Sequence, residues 1–148
     1  AEIRQIFAEY DPHFRSVSCD EACMDCTEYV RSKATEGINI SPADLASEIR
    51  RRVYEKTTLT ASAGVSVSRM LAKMCTDINK PNGQFVLPPT RQDVLDFLES
   101  MPTRKIPGIG KVAESILQGL GIQTTRDLFD NRAALFHVFG RKTYNYFL

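Results

Sequence analysis

Pro88-Pro89 constrains this chain's fold more than any other feature. Proline donates no backbone hydrogen bond, and it biases the residue before it away from helix. A helix or strand running through the pair would lose two donors, so the chain is read as dividing there. Residues 1–88 mix short β-like runs with helical patterns, whereas residues 89–148 carry helical patterns alone. At 148 residues and 43% apolar content, the chain can bury a core as one ordinary domain or two small ones. The expected fold class is α+β: an α/β-type part with a small antiparallel sheet and packed helices, then a small all-α part.

Periodicity fills in the elements. Ile3, Ile6, Phe7 and Tyr10 have helical spacing, and Asp11-Pro12 stops that helix. His13 to Ser18 and Ala22 to Thr27 predict two strands of a tight hairpin with Asp20-Glu21 at its tip. Residues 28–40 are polar and predict a loop. Ser41-Pro42-Ala43-Asp44 is a helix start, and Leu45, Ile49 and Val53 form its apolar stripe, partly surrounded by Arg50, Arg51 and Arg52. Thr58 to Ser66 alternates and predicts a strand with one face of small residues, open to close approach. Ser68 caps a helix whose expected buried stripe is Met70, Leu71, Met74, Cys75 and Ile78. Lys80-Pro81-Asn82-Gly83 predicts a turn, and Gln84 to Leu87 a strand. Beyond the prolines, Thr90 caps a helix through Met101 with Val94, Leu95, Phe97 and Leu98 on its apolar side. Val112 to Leu120, a short helix from Thr125, and Ala133 to Phe139 complete the second part.

Bulk charge excludes little but directs the search. Net charge is +1, so no global field draws the chain to nucleic acid or to a membrane surface. Nucleic-acid contact must come from local basic clusters or backbone amides. No apolar run is long enough to cross a bilayer, and Ala1-Glu2-Ile3-Arg4-Gln5-Ile6-Phe7 does not resemble a signal peptide. Three of the four cysteines lie within eight residues, unlike the spread framework of a secreted disulfide protein, so a reducing intracellular compartment is expected. The chain opens in mid-helix and closes on the aromatic run Tyr144-Asn145-Tyr146-Phe147-Leu148, and reads as a segment of something longer.

Three motifs carry chemistry. Asp20 and Glu21 are adjacent carboxylates on a hairpin, which suits a hard divalent cation, although exposed acids at a hairpin tip are also common. The same stretch holds Cys19, Cys23 and Cys26 in a Cys-x3-Cys-x2-Cys spacing, which could hold an iron–sulfur cluster on a flexible loop. Cys23 and Cys26 lie three apart in a strand-like run and so point to opposite faces; zinc would need a fourth ligand from Cys75, His13 or His137. The turn at Lys80 can contact phosphate only if it lies near the acids. Pro107-Gly108-Ile109-Gly110-Lys111 has the shape of a helix-hairpin-helix turn, whose backbone N–H groups bind a phosphate oxygen without reading bases.

Four of these segments, in order, resemble the kappa (DinB-type) branch of Y-family translesion DNA polymerases. They are Ser18-Cys19-Asp20-Glu21-Ala22-Cys23-Met24-Asp25, Thr60 to Val65 with Met70-Leu71-Ala72-Lys73, Asp77 to Gln84, and Arg104 to Lys111. The resemblance implies a partial palm at residues 1–88 and a thumb at residues 89–148. It implies DNA-directed DNA synthesis across damage, by two-metal nucleotidyl transfer onto a primer 3′-hydroxyl. Asp20 would bind catalytic Mg²⁺, Glu21 would complete that site near the primer end, and Lys80 would meet the incoming nucleotide's triphosphate. Gly108, Gly110 and Lys111 would grip the DNA backbone. Implied partners are primer-template DNA, a dNTP and, through regions outside these residues, a sliding clamp; the implied location is the nucleus if the source is eukaryotic. No membrane partner is expected.

Departures from the family are also legible. Cys23 stands where members carry an aromatic residue, and Ser68 lies near a usual asparagine. The family's first palm strand, with another metal-binding aspartate and the steric gate, is not within these residues, nor are the fingers. Residues 1–148 alone are therefore expected not to polymerise. The alternative is a non-catalytic helix-hairpin-helix DNA-binding module.

Overall fold

The computed structural model describes residues 2–147; Ala1 and Leu148 lie outside them. The chain divides into two compact units, Ala1–Val86 and Leu87–Leu148. Among the described residues no helix is long and apolar enough to cross a membrane.

The first unit begins with α1 (Glu2–Tyr10), then the strands β1 (Arg15–Ser16) and β2 (Ala22–Cys23). These pair antiparallel, with Arg15 opposite Cys23 and Ser16 opposite Ala22. Both strands are shorter than the sequence predicts. The Asp11 carboxylate accepts from the backbone N–H of His13 and of Asp25, each at 2.8 Å, and so diverts those donors from the ladder. The second strand then gives way to α2 (Thr27–Thr35), where a loop is predicted. Asp25 starts this helix, accepting from Thr27 N at 3.1 Å and Thr27 Oγ1 at 2.6 Å. Its apolar pattern is thin because only Tyr29 and Val30 reach the core; Tyr29 stacks at 4.8 Å from the Tyr10 ring.

Helix α3 (Pro42–Thr57) starts at the predicted cap, with Ser41 Oγ accepting from Asp44 N at 3.1 Å. Its stripe of Leu45, Ile49 and Val53 packs with Ile6 and Tyr10 of α1 to form the core of this unit, with Met24, Cys26 and Ile40 against it. Of the strand predicted over residues 58–66, only β3 (Ala63–Val65) enters a ladder. Thr58 has φ 59° and closes α3, its N–H bonding Tyr54 O at 2.7 Å, so the chain turns before it extends. Helix α4 (Arg69–Thr76), capped by Ser68, links β3 to β4 (Gln84–Val86). The β3–β4 pair is parallel, Ala63 opposite Gln84, and such a pair needs a crossover of this kind. Small residues on β3 do admit a close neighbour: a Cβ on Gly64 would lie 2.1 Å from Ala72 O of α4. Leu71, Met74 and Cys75 are buried as expected, but Met70 is exposed and Ile78 lies beyond the end of α4, exposed as well.

The second unit is all helix: α5 (Arg91–Glu99), a 3-10 turn (Thr103–Lys105), α6 (Lys111–Gly119), α7 (Thr125–Asp130), α8 (Arg132–Val138) and α9 (Arg141–Phe147). Thr90 caps α5, accepting from Asp93 N at 3.1 Å. Leu95 turns to solvent, because four apolar residues among five positions exceed one helical face. Ile106, Ile109, Leu117, Ile122, Leu128 and Leu135 are buried. The segments before the 3-10 turn and before α7 are zipped by Thr103 N to Gln123 O at 2.8 Å and Thr125 N to Met101 O at 2.9 Å. Helix α9 follows Gly140 where the sequence suggested only an aromatic run.

Candidate functional site

The hairpin tip of the first unit is built by its own short-range bonds. Val17 N donates to Glu21 O at 2.8 Å, which closes the turn and turns Asp20 outward. Ser18 Oγ donates to Asp20 Oδ1 at 2.7 Å, and the Cys19 thiol donates to the same oxygen at 3.7 Å. Asp20 is fully exposed, and the Ser18 hydroxyl, helped by a backbone bond, Cys19 and the charge of Lys73, holds its carboxyl below the ordinary aspartate value. It is therefore an anion throughout the neutral range.

Glu21 forms an ion pair with Lys73 of α4. Both side chains are just over a third exposed, so water still screens the pair. Gly64 sets this contact indirectly, because the absence of its Cβ lets α4 lie against β3. Lys80 follows α4 in the turn before β4; it is exposed and paired to Asp77 at 2.7 Å. Its ammonium is held above the ordinary lysine value, first by Asp77 and then by the charges of Glu21 and Asp20. Asp20, Glu21, Lys73 and Lys80 thus share one electrostatic neighbourhood.

The first unit fits a hard cation better than a soft one. A magnesium ion uses one or two carboxylates and takes its remaining ligands from water and phosphate, which an exposed Asp20 beside Glu21 allows. Among the described residues no three His, Cys, Asp or Glu side chains converge as a metal cluster. The thiols serve otherwise: Cys26 packs against the core, and burial pushes it up to about 11, which disfavours the thiolate a soft metal needs.

Two residues of this neighbourhood carry no role in the sequence reading. Lys73 meets Glu21 across 52 positions, and Arg50 reaches the Lys80 turn from α3 across 32 to 34 positions. No local pattern announces either. A lysine on the exposed side of a capped helix and an arginine beside an apolar stripe are ordinary surface placements.

In the second unit, the hairpin runs from the 3-10 turn into α6. Ile106 and Ile109 anchor it in the core, and Gly108 has φ 94°, which glycine adopts without strain. Gly110 is the N-cap, with no side-chain cap bond and open space where a Cβ would lie. Glu114 N bonds Gly110 O at 2.9 Å, so the preceding N–H groups of the first turn have no partner within the helix. Exposed Lys111 stands at that end, and Arg104 binds back to Ile109 O and to Glu114, bracing the hairpin. Such an end accepts an anionic oxygen.

Residues 1–77, just over half of the chain, match the impB/mucB/samB family model. The chain belongs to that family. Residues 91–122 match the HHH motif of the same IMS family, which covers the Gly108–Gly110 hairpin. This impB/mucB/samB member is 46% identical over 146 residues to DNA polymerase kappa of Arabidopsis thaliana, covering 98% of this chain and 21% of that protein. Its fold is similar to DinB from Sulfolobus solfataricus, with a TM-score of 0.82 and 33% identity over 99% of this chain and 41% of the other. An insertion ternary complex of Dbh DNA polymerase matches at TM-score 0.83 and 33% identity, over 99% of this chain and 41% of that one. The kappa (DinB-type) resemblance of the sequence is thereby borne out. The chain spans about a fifth of the kappa relative's length and two fifths of the solved chains.

Proposed function

We propose that residues 1–148 are the later part of the palm and the thumb of a Y-family, kappa-type DNA polymerase that copies past DNA damage. Residues 1–88 are the palm portion and residues 89–148 the thumb. One observation carries this reading: the Glu21–Lys73 ion pair ties the acidic hairpin to α4, the helix that leads into the Lys80 turn, although 52 residues separate Glu21 from Lys73. Carboxylates and a lysine-bearing turn brought to one part of the fold are what a site for metal and triphosphate requires. The family match and the Dbh neighbour, solved as an insertion ternary complex, support DNA and a nucleotide as partners.

Each residue then has a task. Asp20, ionised and outward, and Glu21, braced by Lys73, would hold Mg²⁺. Mg²⁺ bound there would supply Lewis-acid stabilisation to the attacking 3′-hydroxyl and the departing pyrophosphate. Lys80 exchanges Asp77 for the triphosphate and neutralises its charge. Gly108 and Gly110 keep the hairpin slim, and the first-turn amides of α6 with Lys111 hold a backbone phosphate of primer-template DNA. By the family resemblance, the two-metal site would need a further carboxylate besides Asp20 and Glu21. The isolated chain accordingly does not extend primers.

The deciding experiment places Asp20→Ala in a full-length polymerase carrying residues 1–148. Primer extension with Mg²⁺ and all four dNTPs is abolished while DNA binding persists. Extension that survives the substitution overturns the polymerase reading and leaves a DNA-binding module. Primer extension by residues 1–148 alone would overturn the incompleteness of the metal site.

A further inference from the structure

Arg50 lies in the middle of α3, where the sequence gives it no task beyond flanking the apolar stripe. Its guanidinium instead gathers three separate segments. Nε donates to Ala61 O at 2.8 Å, on the approach to β3. Nη1 donates to Gln84 Oε1 at 3.0 Å, at the start of β4. Nη2 donates to Asn82 O at 2.6 Å and to Asn82 Oδ1 at 2.8 Å, inside the turn that carries Lys80. All of these acceptors are neutral, so the arginine is used for the fork geometry of its donors and not to cancel a carboxylate.

The turn needs such a support. Asn82 has φ 49°, in the left-handed region that costs a non-glycine residue energy, and Lys80, Pro81 and Asn82 are exposed. Gln84 is itself fixed, its Nε2 donating to Ala43 O at 2.8 Å and its Oε1 accepting from Ser47 Oγ at 3.1 Å. Arg50 therefore ties the exposed turn to the rigid body of α3.

We infer that Arg50 is a positioning residue that fixes the Lys80 turn so that the lysine meets a nucleotide's triphosphate, an inference that rests on the role of Lys80 proposed above. The ammonium sits at the end of a flexible stem, so its reach is set by where the backbone of residues 80–82 is held. Misplacing a binding group by about 1 Å costs up to about a hundredfold in rate. Lysine cannot replace this arginine, because one ammonium does not span Ala61, Asn82 and Gln84 in a planar fork.

The test is steady-state nucleotide incorporation in a full-length polymerase carrying residues 1–148, with DNA affinity and thermal melting measured on each variant. Lys80→Ala and Arg50→Met each raise KM for dNTP by about tenfold, and the double variant raises it no further than Lys80→Ala alone. DNA affinity is unchanged in all three, which a general loss of structure would not allow. Asn82→Gly removes one acceptor without touching α3 and suits the left-handed backbone; it raises KM in the same direction by a smaller factor, and carries the test if Arg50→Met does not fold. Multiplying effects of Arg50→Met and Lys80→Ala overturn the inference. So does an unchanged KM in Arg50→Met, or in Asn82→Gly where Arg50→Met does not fold, when Lys80→Ala raises KM. An unchanged KM in Lys80→Ala overturns instead the nucleotide role of Lys80, and the inference falls with it.

Discussion

Replacing Gly64 by alanine inserts a methyl group where α4 leaves no room. The new carbon would lie 2.1 Å from Ala72 O and 2.5 Å from Thr76 N, against 3.4 Å for ordinary contact. Both atoms are backbone, so no side chain can rotate away, and α4 must retreat by roughly 1 Å. Gly64 takes no positive φ, so the cost is steric and not conformational. Overpacking costs about 1–3 kcal/mol, and backbone on the crowded side puts this case at about 3 kcal/mol. With an m-value of about 1.5 kcal/mol/M, the urea midpoint of the first unit falls by about 2 M. The transition is followed by near-ultraviolet circular dichroism of the Tyr10–Tyr29 pair, whose ring centroids are 4.8 Å apart in that unit. A midpoint for Gly64→Ala within about 0.3 M of the parent would refute the close approach of β3 and α4.

The Ser18 hydroxyl holds the Asp20 carboxyl below the ordinary aspartate value, and Ser18→Ala moves its midpoint upward, as carbon-detected nuclear magnetic resonance would record. Because the folded-state value is lowered, the Ser18 bond contributes above the ordinary aspartate value and is lost as pH falls through the folded one. An unmoved midpoint in Ser18→Ala sinks that account. Iodoacetamide at pH 8 labels exposed Cys19 first, while Cys26 and Cys75, each pushed up to about 11 mainly by burial, react only after unfolding. Equal labelling of all four thiols in the native protein contradicts their packing. Lys73→Met removes a partly exposed pair and lowers stability by less than about 1 kcal/mol; a larger fall in the urea midpoint means the pair is drier than the structure has it.

How much of this was legible follows from the range of each interaction. Caps are local: Ser41, Ser68 and Thr90 each accept from the N–H three residues on, as their sequence context predicted. The α3 stripe is periodic and lies where periodicity places it, whereas of the small face expected over Thr58 to Ser66 only Gly64 lies in β3, against α4. Helix α2 escaped because its two large apolar residues, Tyr29 and Val30, are adjacent and make no readable stripe, and its start depends on Asp25. The β strands were overextended because nothing in the alternation reveals that Asp11 takes the donors of His13 and Asp25. At the proposed site, Asp20 and Glu21 stand out as adjacent carboxylates on a hairpin, and Lys80 through motif resemblance. Lys73 and Arg50 act on partners 52 and 32 residues away, and such contacts exist only once the chain has folded.

The central claim is that Asp20 is a metal ligand in nucleotide transfer, and a ligand swap tests it most directly. Asp20→Cys, made with Cys19→Ser in a full-length polymerase carrying residues 1–148, replaces a hard oxygen donor by a soft sulfur. Single-turnover incorporation is then measured in Mg²⁺, Mn²⁺ and Cd²⁺. Activity lost in Mg²⁺ and partly recovered in Mn²⁺ or Cd²⁺ is the predicted result. Full activity in Mg²⁺, or a loss that no thiophilic ion relieves, would contradict direct ligation by residue 20.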